Sequence, residues 1–196
     1  MIREKDESVS YESIQELLHL AHEKNKANGL VYATADQTVA KLIEKISSGV
    51  CFIAVTNDGT DEMLVGTCTL EQRTLKYWYI ENKEEPLLLL KLVGIHPDWS
   101  GKGIGKALIG HCVDFARKNH YKMIVTDSAE ENSAFRRLMS GAGFVIVDCV
   151  KYASNNFISA VYAKWIFEEC PWPENIRAER YLARKKEIVE NNENRV

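Results

Sequence analysis

A chain of 196 residues is long enough for one substantial core, and 45% hydrophobic with 27% charged residues is an ordinary globular balance. A formal charge of −3 lacks the basic field of a nucleic-acid-binding surface, so nucleic acid is not expected as a partner. Cys51, Cys68, Cys112, Cys149 and Cys170 stand without CxxC pairs, which predicts neither a zinc site nor a disulfide framework and fits a reducing cytoplasm.

The opening MIREKDESVS is charged and has no apolar signal core. The longest apolar run falls far short of a bilayer span, so no membrane partner is expected. Residues 1–5 read as the start of an edge strand. Tyr11, Ile14, Leu17, Leu18 and Ala21 then recur at helical spacing. Thr34 and Gln37 form a capping-box pair ahead of a second helix, which carries Val39, Leu42, Ile43 and Ile46 on one face. VCFIAVTNDGTDEMLVGTCTL reads as two strands around an Asn-Asp-Gly turn, a hairpin signal. From Glu71 to Glu85 the chain is aromatic and charged, with Lys76, Tyr77, Trp78 and Tyr79 together. A longer hairpin and a loop are both open there.

The near-continuous apolar content of PLLLLKLVGI, residues 86–95, predicts a fully buried central strand. Ile104, Ala107, Leu108, Cys112, Phe115 and Ala116 define a helix face. KMIVTD is the next strand, and pairing the two strands across that helix gives a βαβ unit with parallel strands. A short helix runs from about Asn132 to Ser140, closed by Gly141 and Gly143. FVIVDCVKYA and FISAVYAKWI are two last strands, parted by Ser154-Asn155-Asn156. From Pro171 onward an added helix is expected, with Pro173 at its first turn. Residues 1–170 read as one domain and 171–196 as its helical extension.

Between central strand and helix lies HPDWSGKGIGKAL. A nucleotide-triphosphate loop needs four residues between its glycines and Lys followed by Ser or Thr. Here Gly101 and Gly105 have three between them and Lys106 precedes Ala107. A dinucleotide fingerprint needs a third glycine, at position 106 or 108 by the two countings, where Lys106 and Leu108 stand. What remains is a glycine-rich strand-to-helix turn. It is either a plain turn or a cradle whose N–H groups meet an anion, with Lys102 and Lys106 adding positive charge.

The stretch LKLVGIHPDWSGKGIGKALIGHCVDFARKNHY closely resembles motif A of the GNAT superfamily of acyl-CoA-dependent N-acyltransferases. Ile95, His96 and Pro97 match its strand end, and Gly103 and Gly105 its glycines. ENSAFRRLMSGAGF is similar to the family's later motif at Asn132, Gly143 and Phe144. The resemblance implies an α/β (α+β) fold with a central mixed, mostly antiparallel sheet, splayed parallel central strands and helices on both faces, here with the extra C-terminal helix. It implies acetyl-CoA as co-substrate, without a metal. The N–H groups from Gly101 to Gly105 would cradle the pyrophosphate, with Ser100, Lys102, Ile104 and Lys106 around it. Pantetheine would lie between the central strands and bond the backbone at Val93, Gly94 and Ile95. An N–H there would also polarise the thioester carbonyl, and Asn132 would contact the pantetheine. A homodimer is common in the family.

Two positions depart from the pattern. Ser100 stands where the family usually has Gln or Arg. Met139 stands where many members have a Tyr that protonates the departing thiolate, and a thioether donates no proton. Water or Ser140 is the expected substitute, or the site works without a dedicated acid. For the base that deprotonates the acceptor amine, Glu84, Glu85 and His96 are the candidates. Lys91 reads as a substrate anchor or a solvated strand residue. His19 and His22 read as surface histidines, Cys112 and Cys149 as packing residues without an activating base. The expected acceptor is a small-molecule amine or a peptide. An amino sugar is suggested by a fainter resemblance of SNNFISAVYAKWIFEECPWP to members linked with bacterial surface polysaccharides. The alternative is a CoA-binding module with little or no transfer.

Overall fold

The structure, a computed structural model, describes residues 1–32, 37–57, 62–74 and 86–193. The elements in chain order are β1 (Ile2–Glu4), α1 (Tyr11–Ala27), α2 (Val39–Ser47), β2 (Gly49–Asn57), β3 (Glu62–Arg73) and β4 (Leu87–Ile95). A 3₁₀ turn (Pro97–Trp99) leads to α3 (Ile104–Lys118), β5 (Met123–Ala129), α4 (Ser133–Gly141), β6 (Val145–Val150), β7 (Ser159–Trp165) and α5 (Glu174–Glu193). The strands form one sheet in the order β1-β2-β3-β4-β5-β7-β6. Within it β4 and β5 run parallel and the other pairs antiparallel. This is the mixed, mostly antiparallel sheet expected from the resemblance.

Helix starts follow their caps. Ser10 accepts from the Ser13 N–H and opens α1. Thr38, rather than Thr34, accepts from the Lys41 N–H and opens α2. Thr34 lies outside the described residues. A capping box needs its Gln inside the first turn, whereas Gln37 precedes the cap. It is buried instead, its backbone oxygen accepting from Gln15 Nε2 at 2.6 Å and its Oε1 from Lys45 Nζ at 2.8 Å.

Two apolar layers flank the sheet. On one face Leu88, Leu90 and Ile124 meet Leu108, Ile109 and Cys112 of α3 and Met139 of α4. On the other, Ile53 and Leu92 meet Ile14 and Leu18 of α1 and Leu42 and Ile46 of α2. Burial therefore alternates along β4, with Leu89 and Lys91 only partly covered, rather than running unbroken as its sequence predicts. The hairpin continues as strand to Arg73; Tyr77, Trp78 and Tyr79 lie outside the described residues. The last helix, α5, lies along β6, where Arg177 Nη1 donates to Ile146 O at 3.1 Å, and its Lys185 pairs with Glu130, just past the end of β5, at 2.6 Å. Among the described residues no helix is long and apolar enough to cross a membrane.

Close approach fixes one glycine of the hairpin. A Cβ built on Gly49 would stand 2.1 Å from Leu70 O, a backbone atom on the paired strand. Gly49→Ala is expected to force the strands apart and destabilise by about 1–3 kcal/mol. The check is the urea midpoint; an unchanged midpoint would show that the hairpin opens at no cost.

Candidate active site

The central parallel pair is barely a pair. Only Leu88↔Ile124 and Leu89↔Val125 are in register, although β4 continues to Ile95 and β5 to Ala129. Beyond those rungs the strands part. Their facing edges carry backbone groups that no neighbouring strand satisfies, and an extended ligand can pair with such edges.

A bulge opens the β4 edge. The β3–β4 register slips between Thr67 and Thr69, which sets two β4 residues against Cys68, and Leu92 adopts φ +54°. A leucine in the left-handed region is costly and persists only where its surroundings hold it. The Leu92 side chain is buried against α1 and α2, which supplies that hold. Past the bulge the directions of the N–H groups follow from pairing. The His96 N–H donates to Val65 O at 2.9 Å, on the β3 side. Successive N–H groups alternate along a strand, so the N–H groups of Ile95 and Val93 face the opening. Gly94 turns its N–H toward β3, and its missing side chain accommodates α1, since a Cβ there would stand 2.9 Å from Leu18 Cδ2. Its expected contact with a cofactor gives way to a packing role.

The glycine loop follows directly. His96 Nδ1 accepts from the Asp98 N–H at 3.3 Å and caps the 3₁₀ turn. Gly101 and Gly103 then take φ +76° and +85°, with nothing within 4 Å of a Cβ built on either. The first donor inside α3 is the Ala107 N–H, to Gly103 O at 3.0 Å. The N–H groups of Ile104, Gly105 and Lys106 thus have no acceptor within the helix and point along its positive end. Ser100, Lys102 and Lys106 are exposed around the cradle, and Lys102 Nζ rests 4.5 Å from the Trp99 ring centroid. Gly105 serves packing as well, because a Cβ there would stand 3.1 Å from Leu138 Cδ2 of α4.

At the β5 edge a polar knot closes the opening. Asn132 caps α4 by accepting from the Phe135 N–H at 3.1 Å, and its Nδ2 donates to the Tyr32 hydroxyl at 3.1 Å and to Ser128 Oγ at 3.3 Å. The Tyr32 hydroxyl also accepts from the Ala129 N–H at 3.3 Å and lies 3.0 Å from Ser128 Oγ. Its ring packs between His22 and Phe157, at centroid distances of 4.9 and 4.7 Å. His22 is therefore half-buried, with burial holding its imidazole below the usual range, while His19 remains exposed. The expectation of two surface histidines holds for one of them.

On the α1/α2 face, Lys91 is neither solvated nor free. Its ammonium pairs with Glu71 at 2.6 Å and donates to Ser48 Oγ at 3.1 Å. Burial pushes the Glu71 carboxyl up, but Lys91 and Arg73 outweigh it and hold the group below its usual range. Counting on from Leu89↔Val125, Asp127 stands level with Lys91 on the same face. Burial pushes the Asp127 carboxyl above its usual range, partly offset by the Ser159 and Tyr152 hydroxyls, the latter 3.3 Å away. Among the described residues no cation lowers it. Of the two, Asp127, with its carboxyl raised and without a cation beside it among the described residues, is the better suited to take a proton.

Glu84 and Glu85 lie outside the described residues. His96 lines a cleft of about 290 Å³ with Ser13, Glu16, Glu62 and Leu64, against α1 and the start of β3. Ser140 is exposed on α4, whereas its neighbour Met139 is fully buried in the core. The structure does not bring His96 and Ser140 together. Burial raises the thiols of Cys51 and Cys149, the latter to about 11, which suits packing rather than nucleophilic attack.

The family model for the acetyltransferase (GNAT) family matches residues 11–144. Over 71 residues the chain is 32% identical to the N-acetylaspartate synthetase of Xenopus tropicalis, a match covering 36% of this chain and 26% of that protein. The chain thus spans about a quarter of that relative's length. Among solved structures, an N-acetyltransferase from Staphylococcus aureus Mu50 superposes with a TM-score of 0.62 at 17% identity, over 86% of this chain and 98% of that one. An aminoglycoside 6'-N-acetyltransferase complexed with coenzyme A gives 0.58 at 15% identity, over 89% and 99%. At those identities the likeness is one of fold. The family match runs from the first helix through the parted strands and glycine loop to the end of the later motif, and the chain belongs to the GNAT acetyltransferase family.

Proposed function

We propose that this chain transfers an acetyl group from acetyl-CoA to the primary amine of a small molecule, by direct attack with both substrates bound. The carrying observation is the parted β4–β5 pair, whose free edges lead from an anion cradle at Gly101–Lys106 to a bulge at Leu92. The cradle suits a pyrophosphate. Gly101 and Gly103 leave open space where phosphate oxygens would stand, and the start of α3 supplies unpaired N–H groups. Pantetheine lies along the opening as an added strand against the N–H groups of Val93 and Ile95. One of those donors polarises the thioester carbonyl and stabilises the oxyanion that forms on attack.

The amine approaches from the α1/α2 face and gives its proton to Asp127, a candidate base that joins Glu84, Glu85 and His96. Among the described residues no cation pairs with Asp127, which is level with the strand positions just before the bulge. Lys91, neutralised by Glu71, shapes the acceptor side. The aspartate in the name of the Xenopus relative and the aminoglycoside in that of the structural neighbour are both small amines. An amino sugar belongs to the same class. The buried Met139, which offers no proton, favours a second reading in which the chain binds CoA without transfer.

Calorimetric titration with CoA followed by thiol release from acetyl-CoA separates the readings. The expected result is CoA binding, with release that depends on at least one member of a panel of amino acids, amino sugars and polyamines. Binding with no release across that panel and a peptide set would favour the binding module. No binding would overturn both.

A further inference from the structure

Met139 leaves the departing thiolate without the expected proton donor, yet a hydroxyl faces the opening from elsewhere. The Glu130 N–H donates to Ile158 O at 3.1 Å, toward β7. By alternation along β5 the Ala129 N–H points the opposite way, into the β4–β5 opening. The Tyr32 hydroxyl accepts from that N–H, so it stands in the opening itself. Counting on from Leu89↔Val125 brings Leu92 and Val93 level with Ser128 and Ala129. The hydroxyl therefore faces the bulge across the gap.

Its hydrogen bonds leave the proton available. Two N–H donors, from Ala129 and Asn132, fill the oxygen's acceptor sites. Ser128 Oγ, at 3.0 Å, is the partner among the described residues that can take the hydroxyl proton. The ring is held rigidly between His22 and Phe157. The segment behind it is tied to the β6–β7 connection, the Val31 N–H donating to Asn156 Oδ1 at 3.0 Å and Asn156 Nδ2 to Gly29 O at 2.6 Å. These ties and the ring contacts together hold the hydroxyl in place.

Resting on the acetyltransferase reading above, we propose that Tyr32 is the proton donor to the coenzyme A sulfur. When the tetrahedral adduct collapses, the C–S bond breaks and its electron pair goes to sulfur. The sulfur takes the Tyr32 hydroxyl proton and leaves as the thiol. The resulting phenolate, held by the Ala129 and Asn132 N–H groups, regains a proton from solvent through the Ser128 hydroxyl.

The test needs no acceptor. CoA labelled with ¹³C at the carbon beside sulfur is bound to the wild-type chain and to Tyr32→Phe, and its thiol is titrated by NMR. The Phe variant keeps the ring between its neighbours and removes only the hydroxyl. A donor beside the sulfur favours the thiolate, so the wild-type complex is expected to ionise at least about tenfold more readily than the variant complex, one pH unit lower. Affinity for CoA below the thiol's ionisation range should differ little between them. A second measurement uses wild-type protein alone. The preference for CoA over desulfo-CoA should grow as pH rises and the thiolate forms. Coincident titrations, or a preference that does not change with pH, would overturn the assignment to Tyr32. Failure to bind CoA at all would overturn the acetyltransferase reading with it, which keeps the two failures apart. Once an acceptor is known, Tyr32→Phe should lower kcat with little change in the KM for acetyl-CoA.

Discussion

Asp127→Asn is expected to make the protein more stable at pH 7 and a poorer enzyme. The native carboxyl is pushed above its unfolded value by burial. The native state therefore binds more protons than the unfolded state over the interval between the two values. Stability from such a group is fully present below the unfolded value and is lost as pH rises through the folded one. At pH 7 the buried carboxylate thus costs stability, and a neutral amide that still accepts from Tyr152 does not. The gain in Tm should shrink with acidification and vanish below about pH 4, where both forms are protonated. Transfer should fall by about 10²–10⁴-fold, the usual contribution of a positioned base. CoA affinity should be unchanged, because the cradle is at the start of α3 and the carboxyl is on the opposite face of the sheet. A lower Tm at pH 7 together with intact transfer would show that the carboxylate is a structural anchor instead.

Gly103→Glu is expected to remove CoA binding while sparing the fold. A side chain at φ +85° is strained by about 1–2 kcal/mol, but nothing lies within 4 Å of the new Cβ. A carboxylate at a helix start also recovers about 0.3–1 kcal/mol. Melting without ligand should therefore move little. A pyrophosphate beside that carboxylate meets repulsion of about 4 kcal/mol at close range and moderate effective dielectric. Affinity measured by calorimetry should fall at least about 10²-fold and partly recover in high salt. Gly105→Ala is the contrast. Its Cβ would press on Leu138, so it should lower Tm more than it weakens binding. Equal CoA affinity in Gly103→Glu and wild type would mean that the loop does not hold the pyrophosphate.

The donor side of this site was legible from the sequence because it depends on the backbone. Ile95-His96-Pro97 and the spaced glycines announce a strand end, a sharp turn and a helix start within one short stretch, and local chemistry dictates each. The rest depends on register. Leu92 lies in an unbroken apolar run, and its positive φ comes from the slip of β3 at Thr67, a partner some 25 residues earlier. Asp127 reads as a polar residue near a strand end. Its hydroxyl partners, Tyr152 and Ser159, come alongside only in the folded sheet. Tyr32 reaches Ala129 and Asn132 across about a hundred residues. The acidic pair Glu84 and Glu85 is a candidate by nearness in sequence to the central strand, and lies outside the described residues. His96 was near the right strand end, but its ring caps the 3₁₀ turn and lines the α1 cleft instead.

The placement of α5 bears on solubility rather than chemistry. It is a long, mostly polar helix running beside the outermost strand on the β7 side, and the Arg177 guanidinium occupies the Ile146 carbonyl there. A bare outer strand presents a row of unused backbone groups on which a second chain can build. At the other margin the outermost strand, β1, has three residues, too few to template much. With one margin covered by a helix and the other kept short, the sheet has little means of growing by self-association. Among the described residues, the facing edges of β4 and β5 beyond their two paired rungs are left unpaired by any strand, and these are the ones a ligand can use.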